Sequence, residues 1–412
     1  MINKELKVSV QKIVVSLLFL SCTLLFGGSK TVISGTVTDQ DGNQFKQANI
    51  LVYSLVTNKT VQNIPLKNKN YKVELKEKGM YEIRFCAPFH IAHTITVYVK
   101  KHFTETINVQ MSPFEIEDNL NNLRVAVQLK DGEIKYIKMK KGEGGKYQTS
   151  FESDLKQINY QIARLEKTGH NVNGTKGEIT GPDDSGDYFS TIKSDNVVFN
   201  FLFDPSKVLK KKRESNIQYQ NDKSLTKIIN SLKELEVYSS EDLKKDKAAH
   251  LAAGKNRSRY KYDSSKLEEI LDKYINSKDI EVQKIGLAFY LRAKDVIYYN
   301  YRQLPKKYKS CREKYFSLVE PESDLWSLTP YIFISNPDVR GKLTSNYKFV
   351  SYYKKFFAKN KNKNIKAKRL VTEYTFAKMY KWKREMKRIR KELKDNYSDL
   401  RVYKSFVRRY PD

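Results

Sequence analysis

Thr31-Val32-Ile33-Ser34-Gly35-Thr36-Val37-Thr38-Asp39-Gln40-Asp41-Gly42 alternates β-branched with small residues and ends in an Asp-Gly turn, and its reading assigns the front of the chain to β structure. The same pattern returns at Ala48 to Leu55, Tyr71 to Leu75, Met80 to Phe85, Thr94 to Val99 and Glu105 to Met111. Asp41-Gly42 and Lys78-Gly79 supply the turns between them, because Gly and Asp tolerate the positive φ that tight turns need. Short strands spaced about 10 residues apart predict a two-sheet, immunoglobulin-like sandwich over residues 30–114.

Beyond it the alternation continues. Leu123 to Leu129, Glu133 to Met139 and Lys146 to Phe151 form a meander through turns at Asp131-Gly132 and Gly142 to Gly145. Further strands are expected at Ile158 to Leu165, Tyr188 to Ser194 and Asn196 to Phe203, giving a second sandwich over residues 115–206. Met139-Lys140-Lys141-Gly142, Tyr147 and Asn159-Tyr160-Gln161-Ile162 resemble early-set immunoglobulin domains, some of which hold glycans. Both tryptophans, Trp326 and Trp382, lie far downstream, so a sugar platform on this domain has only Tyr and Phe to use. Gly169 to Gly186 reads as a long polar loop whose Asp183-Asp184 pair lacks the repeating ligand series of a calcium site.

Ser34-Gly35-Thr36-Val37-Thr38-Asp39, followed by Asp41-Gly42 and the alternating Ala48, Ile50 and Val52, resembles the carboxypeptidase regulatory-like, or transthyretin-like, domain. Gln44 departs from that pattern at a usual Pro, Gln47 and Asn70 at usual Gly positions, and Phe89-His90 at a usual Gly-Tyr. The resemblance implies a non-catalytic accessory module.

At Lys210-Lys211-Lys212-Arg213 the chain enters a basic linker, residues 207–223, and the apolar period changes from two to 3.6. Leu225, Ile228, Ile229, Leu232 and Leu235 make one helical stripe. Leu267, Ile270, Leu271 and Tyr274 make another behind the capping candidates Ser264 and Ser265. A central apolar helix is expected over Ile280 to Asn300 and another from Pro305, before Pro321, Pro330 and Pro337 break the chain. The expected class is therefore multidomain, two immunoglobulin-like β-sandwiches and then an all-α basic domain over residues 224–412. Glu320-Pro321-Glu322-Ser323-Asp324-Leu325-Trp326-Ser327-Leu328-Thr329-Pro330 and the domain order resemble Bacteroidetes envelope thiol–disulfide oxidoreductases. That likeness implies an alternative reading, a truncated or degenerate member of the thioredoxin-like group without its catalytic domain.

Residues 341–412 carry 23 basic side chains against 6 acidic ones, more than half of the formal excess of +30. Phe376, Met379, Trp382, Met386, Ile389 and Leu393 form a stripe at helical spacing, which either docks on neighbouring helices or meets a membrane. Lys381, Arg384, Lys387, Arg388 and Lys391 occupy the rest of that helix and form the candidate anionic-surface site. Leu400, Tyr403, Phe406 and Val407 are expected to pack a final hairpin.

The compartment follows from the start of the chain. Lys4, Lys7 and Lys12 precede an apolar run from Ile13 to Phe26, and Gly27 and Ser29 have the spacing of a signal-peptidase site. Residues 1–29 are read as a signal peptide, the mature chain beginning near Lys30 and residing in the periplasm, in the cell envelope or outside the cell. Cys22 is the less favoured alternative, a lipid anchor, because Thr23-Leu24-Leu25-Phe26 is too apolar to follow it. Export removes nucleic acid as a partner and leaves anionic lipid head groups, acidic glycans or a protein. No Cys-x-x-Cys, triad or zinc pattern occurs. His90, His93 and His102 are read as packing or surface residues, Cys86 and Cys311 as distant small hydrophobes whose pairing is open, and no cofactor is expected.

Overall fold

The computed structural model describes residues 30–113, 123–129, 134–164, 171–172, 176–183, 186–207, 216–253, 263–293, 306–329, 358–379 and 381–410, together with Leu120, Gly174 and Ile297. The expected signal segment and Cys22 lie outside them. A β-rich front precedes a helical back, as the change in apolar period requires.

The front unit contains β1 (Thr31–Thr38), β2 (Asn49–Ser54), β3 (Lys59–Pro65), β4 (Asn70–Leu75), β5 (Gly79–Cys86), β6 (His93–Val99) and β7 (Thr104–Gln110). One sheet runs β4-β1-β7 and the other β3-β2-β5-β6. Period-two alternation sends Ile33, Val37, Tyr71 and Val73 from the first sheet, and Ile50, Val52, Ile83, Phe85 and Val97 from the second, into one core. Lys72 and Glu74, the alternate residues of β4, pair outside at 2.7 Å. β1 is antiparallel to β4 but parallel to β7, and its pairing with β7 is interrupted between Ser34–Thr106 and Val37–Val109 with the register unchanged. Gly35 lets the two backbones approach closely here. Its φ is +153° and a Cβ there would lie 2.0 Å from the Ile107 carbonyl oxygen. Asn108 fills the gap, its Oδ1 accepting from both the N–H and the hydroxyl of Thr36 at 3.0 Å.

A second β unit follows: β8 (Leu123–Gln128), β9 (Ile134–Lys138), β10 (Lys140–Lys141), β11 (Tyr147–Glu152), β12 (Gln157–Arg164), β13 (Asn171–Val172), β14 (Glu178–Thr180), β15 (Phe189–Lys193) and β16 (Val198–Phe203). The order β14-β15-β12-β8-β9 forms one sheet, with β13 on β12, and β10-β11-β16 the other. Val125, Tyr160, Ile162, Phe199, Phe201 and Phe203 share their core. β13 and β14 fall inside the stretch read as a structureless loop. They are too short for an apolar period, and cross-strand bonds hold them, Tyr160 donating to the Lys176 carbonyl at 2.5 Å and Ser190 to the Gly174 carbonyl at 3.0 Å. Tyr188 joins the two units, packing with Leu51 and Cys86 and donating to Asn49 Oδ1 at 2.9 Å.

The linker reading changes at its end. Asn216–Tyr219 forms β17, which adds antiparallel to β7 and returns the chain to the front unit. Lys210 to Arg213 fall outside the described residues.

Seven α-helices are described: α1 (Leu225–Ala252), α2 (Ser265–Ile275), α3 (Ile280–Arg292), α4 (Lys306–Leu318), α5 (Lys363–Met379), α6 (Lys383–Tyr397) and α7 (Arg401–Arg409). Ser224 caps α1, accepting from the Lys227 N–H at 3.1 Å, and Asp279 caps α3 through the N–H groups of Glu281 and Val282. Ser264 precedes α2 but does not cap it; its hydroxyl donates to Ile297 O at 3.2 Å instead. Ile229, Leu232, Leu267, Leu271, Leu287 and Tyr290 form a core that also includes Met80 of β5, so the helices build directly on the front unit. Tyr315 and Phe316 of α4 pack on buried Trp326, both at 5.0 Å between centroids.

β6 is an edge strand, and α1 covers it. Asn230, nearly wholly buried, accepts from the Thr96 N–H at 2.8 Å and donates to the Thr96 carbonyl at 3.0 Å. One side-chain amide thus supplies the partner that a further strand would have given. Lys233 donates to the Thr96 hydroxyl and lies 3.7 Å from Glu82.

Candidate anionic-surface site

α5, α6 and α7 close around their own core, with Leu370, Val371, Tyr374, Ile389, Leu393, Leu400, Phe406 and Tyr410 buried. The rings of Tyr374, Phe406 and Tyr410 pack with centroids 4.8–5.4 Å apart. Arg390 spans two of them, donating to the Tyr374 hydroxyl at 3.0 Å with its guanidinium 5.6 Å from the Phe406 centroid. Trp382 and Met386 pack against this core from the start of α6. This part of the predicted stripe therefore docks on neighbouring helices; the side chains of Phe376 and Met379 lie outside the described residues. Leu400 and Phe406 are buried and Tyr403 half-buried as expected, whereas Val407 is exposed.

Fixing that face fixes the other. With 3.6 residues per turn, Arg384, Lys387, Lys391 and Lys394 fall opposite Ile389 and Leu393, and all of them are exposed. Lys381, at φ +58° in the turn before α6, is exposed beside them. Lys394 was missed because the stripe reading stopped at Leu393. Asp395 is also exposed on this side.

Arg388 plays a different part from the one its sequence position implies. It meets Glu385 at 2.7 Å, Glu392 at 2.5 Å and Glu373 of α5 at 3.6 Å. Those carboxylates, Glu385 first, raise its pKa further above the usual guanidinium value. It ties α6 to α5, and its charge is largely answered within the chain. Arg369 approaches Glu373 as well, at 3.3 Å. Lys368 is drawn inward, where burial pulls its ammonium down to about 8 against the opposing pull of Glu82. Beside Arg388, the exposed cations of α6 and the turn before it are Lys381, Lys383, Arg384, Lys387, Lys391 and Lys394. Among the described residues no helix is long and apolar enough to cross a membrane.

The histidines do not converge. His90 Nδ1 donates to the Pro88 carbonyl at 2.8 Å and its ring meets Phe45 edge-on. Burial holds the pKa of His93 below the usual imidazole value. His102 Nδ1 lies 3.5 Å from the Thr31 hydroxyl. Asp183 Oδ1 accepts from the Asp187 N–H at 2.9 Å, a turn-closing role, and Asp184 is outside the described residues.

Cys86 and Cys311 are both buried and unpaired. Burial pushes the Cys86 thiol up to about 12 and the Cys311 thiol above its usual value. Because the thiolate is the reactive form, a Cys22→Ser variant of the native protein will label with a thiol reagent only as fast as it unfolds. Rapid labelling of either remaining cysteine without denaturant would contradict that.

No family profile and no curated protein matches this chain. A solved streptococcal ancillary pilin aligns at 13% identity over 42% of this chain and 50% of its own, with a TM-score of 0.19. The chain spans about half the length of that structure, and so loose an alignment assigns neither fold nor function.

Proposed function

We propose that this protein is an exported, non-enzymatic accessory of the cell envelope, whose β units bind or space and whose last helices contact anionic material. The observation that carries the reading is the solvent-facing row Arg384, Lys387 and Lys391 with Lys381 and Lys394, on a helix whose opposite face is committed to its own core. A free amphipathic helix would offer its apolar face to lipid; α6 has used that face, so its contact is electrostatic and salt-sensitive. The short apolar leader supports export. The paired sheets around single cores support immunoglobulin-like sandwiches, and Gly35 within Ser34-Gly35-Thr36-Val37 supports a carboxypeptidase regulatory-like front module. Residues 30–114 and 115–206 are then the two sandwiches and the helices a scaffold.

Combining Arg384→Glu, Lys387→Glu and Lys391→Glu should abolish retention on phosphatidylglycerol vesicles and on heparin. Each cation near an anionic surface contributes about 1 kcal/mol, so simply losing three weakens binding more than about a hundredfold. Unmodified protein should release as salt rises and should ignore phosphatidylcholine vesicles. Arg388→Gln is the contrasting change: it loosens α6 from α5 and lowers the melting temperature more than the affinity. Retention that survives the triple reversal sinks the surface reading, and a tagged chain found only in the cytoplasm sinks the export reading.

A further inference from the structure

β9 borders the larger sheet of the second β unit: it pairs with β8 on one side, and among the described residues no strand pairs with its other side. Its register fixes which way each residue faces. Lys135 and Ile137 stand opposite Val127 and Val125, which are wholly buried in the core, so Lys135 and Ile137 face inward. Ile134, Tyr136 and Lys138 alternate with them and face outward. Ile134 is 48% and Tyr136 47% exposed, so two large apolar side chains meet water at an open sheet edge. Lysines alone are a common guard against unwanted strand pairing, but a guard has no use for the apolar pair between them.

The charges restrict what such an edge accepts. From Ile134 to Lys146 the chain carries five lysines, all exposed, against the single carboxylate of Glu143. Lys138 stands directly opposite Arg124 of β8, a like-charge pair that costs stability, and among the described residues neither has an ion-pair partner. Lys135 reaches over the rim of the core, its ammonium 4.8 Å from the Phe151 ring centroid. A second copy of this chain is a poor occupant, since pairing β9 with itself brings the lysine-rich edges together. An extended chain of opposite charge is a good one. We propose that β9 docks an extended acidic segment of another protein as a further strand, with apolar residues beside Ile134 and Tyr136 and acidic residues beside Lys135 and Lys138. Backbone bonds to the open edge supply affinity, and the alternating side chains supply specificity. The proposal rests on the reading of the β units as binding modules, and it does not involve the cationic face of α6.

The test uses the full chain and fluorescence anisotropy with labelled peptides centred on Val-Asp-Val-Thr-Glu, in that order and reversed, because an added strand can run in either direction. At least one order should bind saturably. Alternate backbone N–H groups of an edge-bound strand point at the sheet and at solvent, so methylating one alternate set of peptide nitrogens should abolish binding and methylating the other should spare it. Lys135→Glu with Lys138→Glu should weaken binding about tenfold, as partly exposed ion pairs that become repulsive allow. Tyr136→Ser should weaken it about threefold through the lost cross-strand contact. All three side chains are exposed, so these changes leave the fold in place. Reversing the charges of α6 should leave the peptide bound, so vesicle retention and peptide binding fail separately. The proposal is overturned when neither order binds, when the double reversal leaves the affinity unchanged, or when both methylated peptides bind as well as the parent, the mark of a contact by charge alone.

Discussion

Replacing Gly35 by Ala will cost at least about 3 kcal/mol of stability, because both the conformation and the space at this position exclude a side chain. The added carbon would stand 2.0 Å from the Ile107 oxygen, which already accepts from the buried Tyr71 hydroxyl at 2.8 Å. Relief requires β1 to move off β7, breaking the Asn108 bonds to Thr36 and opening the core between Ile33 and Val37. Gly42→Ala is the control: Gly42 has φ +81° but nothing within 4 Å of a new Cβ, so it pays only the conformational cost of about 1 kcal/mol. In thermal unfolding Gly35→Ala should melt about 6–12 °C lower and Gly42→Ala only about 2–4 °C lower. Equal shifts would mean that the close approach of β1 and β7 is not what requires glycine.

Which features were legible comes down to the range of the interactions. The strand at Thr31–Thr38, its turn and the amphipathic helices at Leu225 and Ser265 announce themselves within a few residues, through alternation, turn chemistry or a period of 3.6. β3 escaped because an exposed edge strand reading Lys59-Thr60-Val61-Gln62-Asn63-Ile64-Pro65 needs no apolar face. β17 escaped because its partner, β7, lies about a hundred residues earlier, and only pairing makes Asn216–Tyr219 a strand. The candidate site was legible in part for the same reason. Helical periodicity placed Arg384, Lys387 and Lys391 on one face, but the reassignment of Arg388 depends on Glu373 from another helix.

The join between the two halves offers the other large effect. Asn230→Ala will leave the N–H and carbonyl of Thr96, a wholly buried residue, without partners at the edge of β6, at a cost of about 2–4 kcal/mol. The cost falls on the contact between sheet and helix, not on the sheet's interior, because β6 keeps its ladder to β5 from Gly79–Val99 to Phe85–His93. Hydrogen exchange should therefore speed up at Thr96 and along the first turns of α1, while the amides of β2 and β5 keep their protection. Asn230→Asp discriminates further. The aspartate keeps an acceptor for the Thr96 N–H but sets a carboxylate oxygen against the carbonyls of Thr96 and Thr226, to which Asn230 Nδ2 donates at 3.0 and 2.7 Å. Burial and those carbonyls raise the native pKa of the new carboxyl above the unfolded value of about 3.9. Its neutral form, which can donate as the amide does, is favoured below that value, and the stability it confers is lost as pH rises through the native pKa. At neutral pH the Asp variant should accordingly be less stable than the Ala variant, and the order should narrow or reverse in acid. A pH-independent difference between the two would show that Asn230 does not stand in for the missing strand, and that the helices are held to the front unit by their other contacts, the apolar ones around Met80 among them.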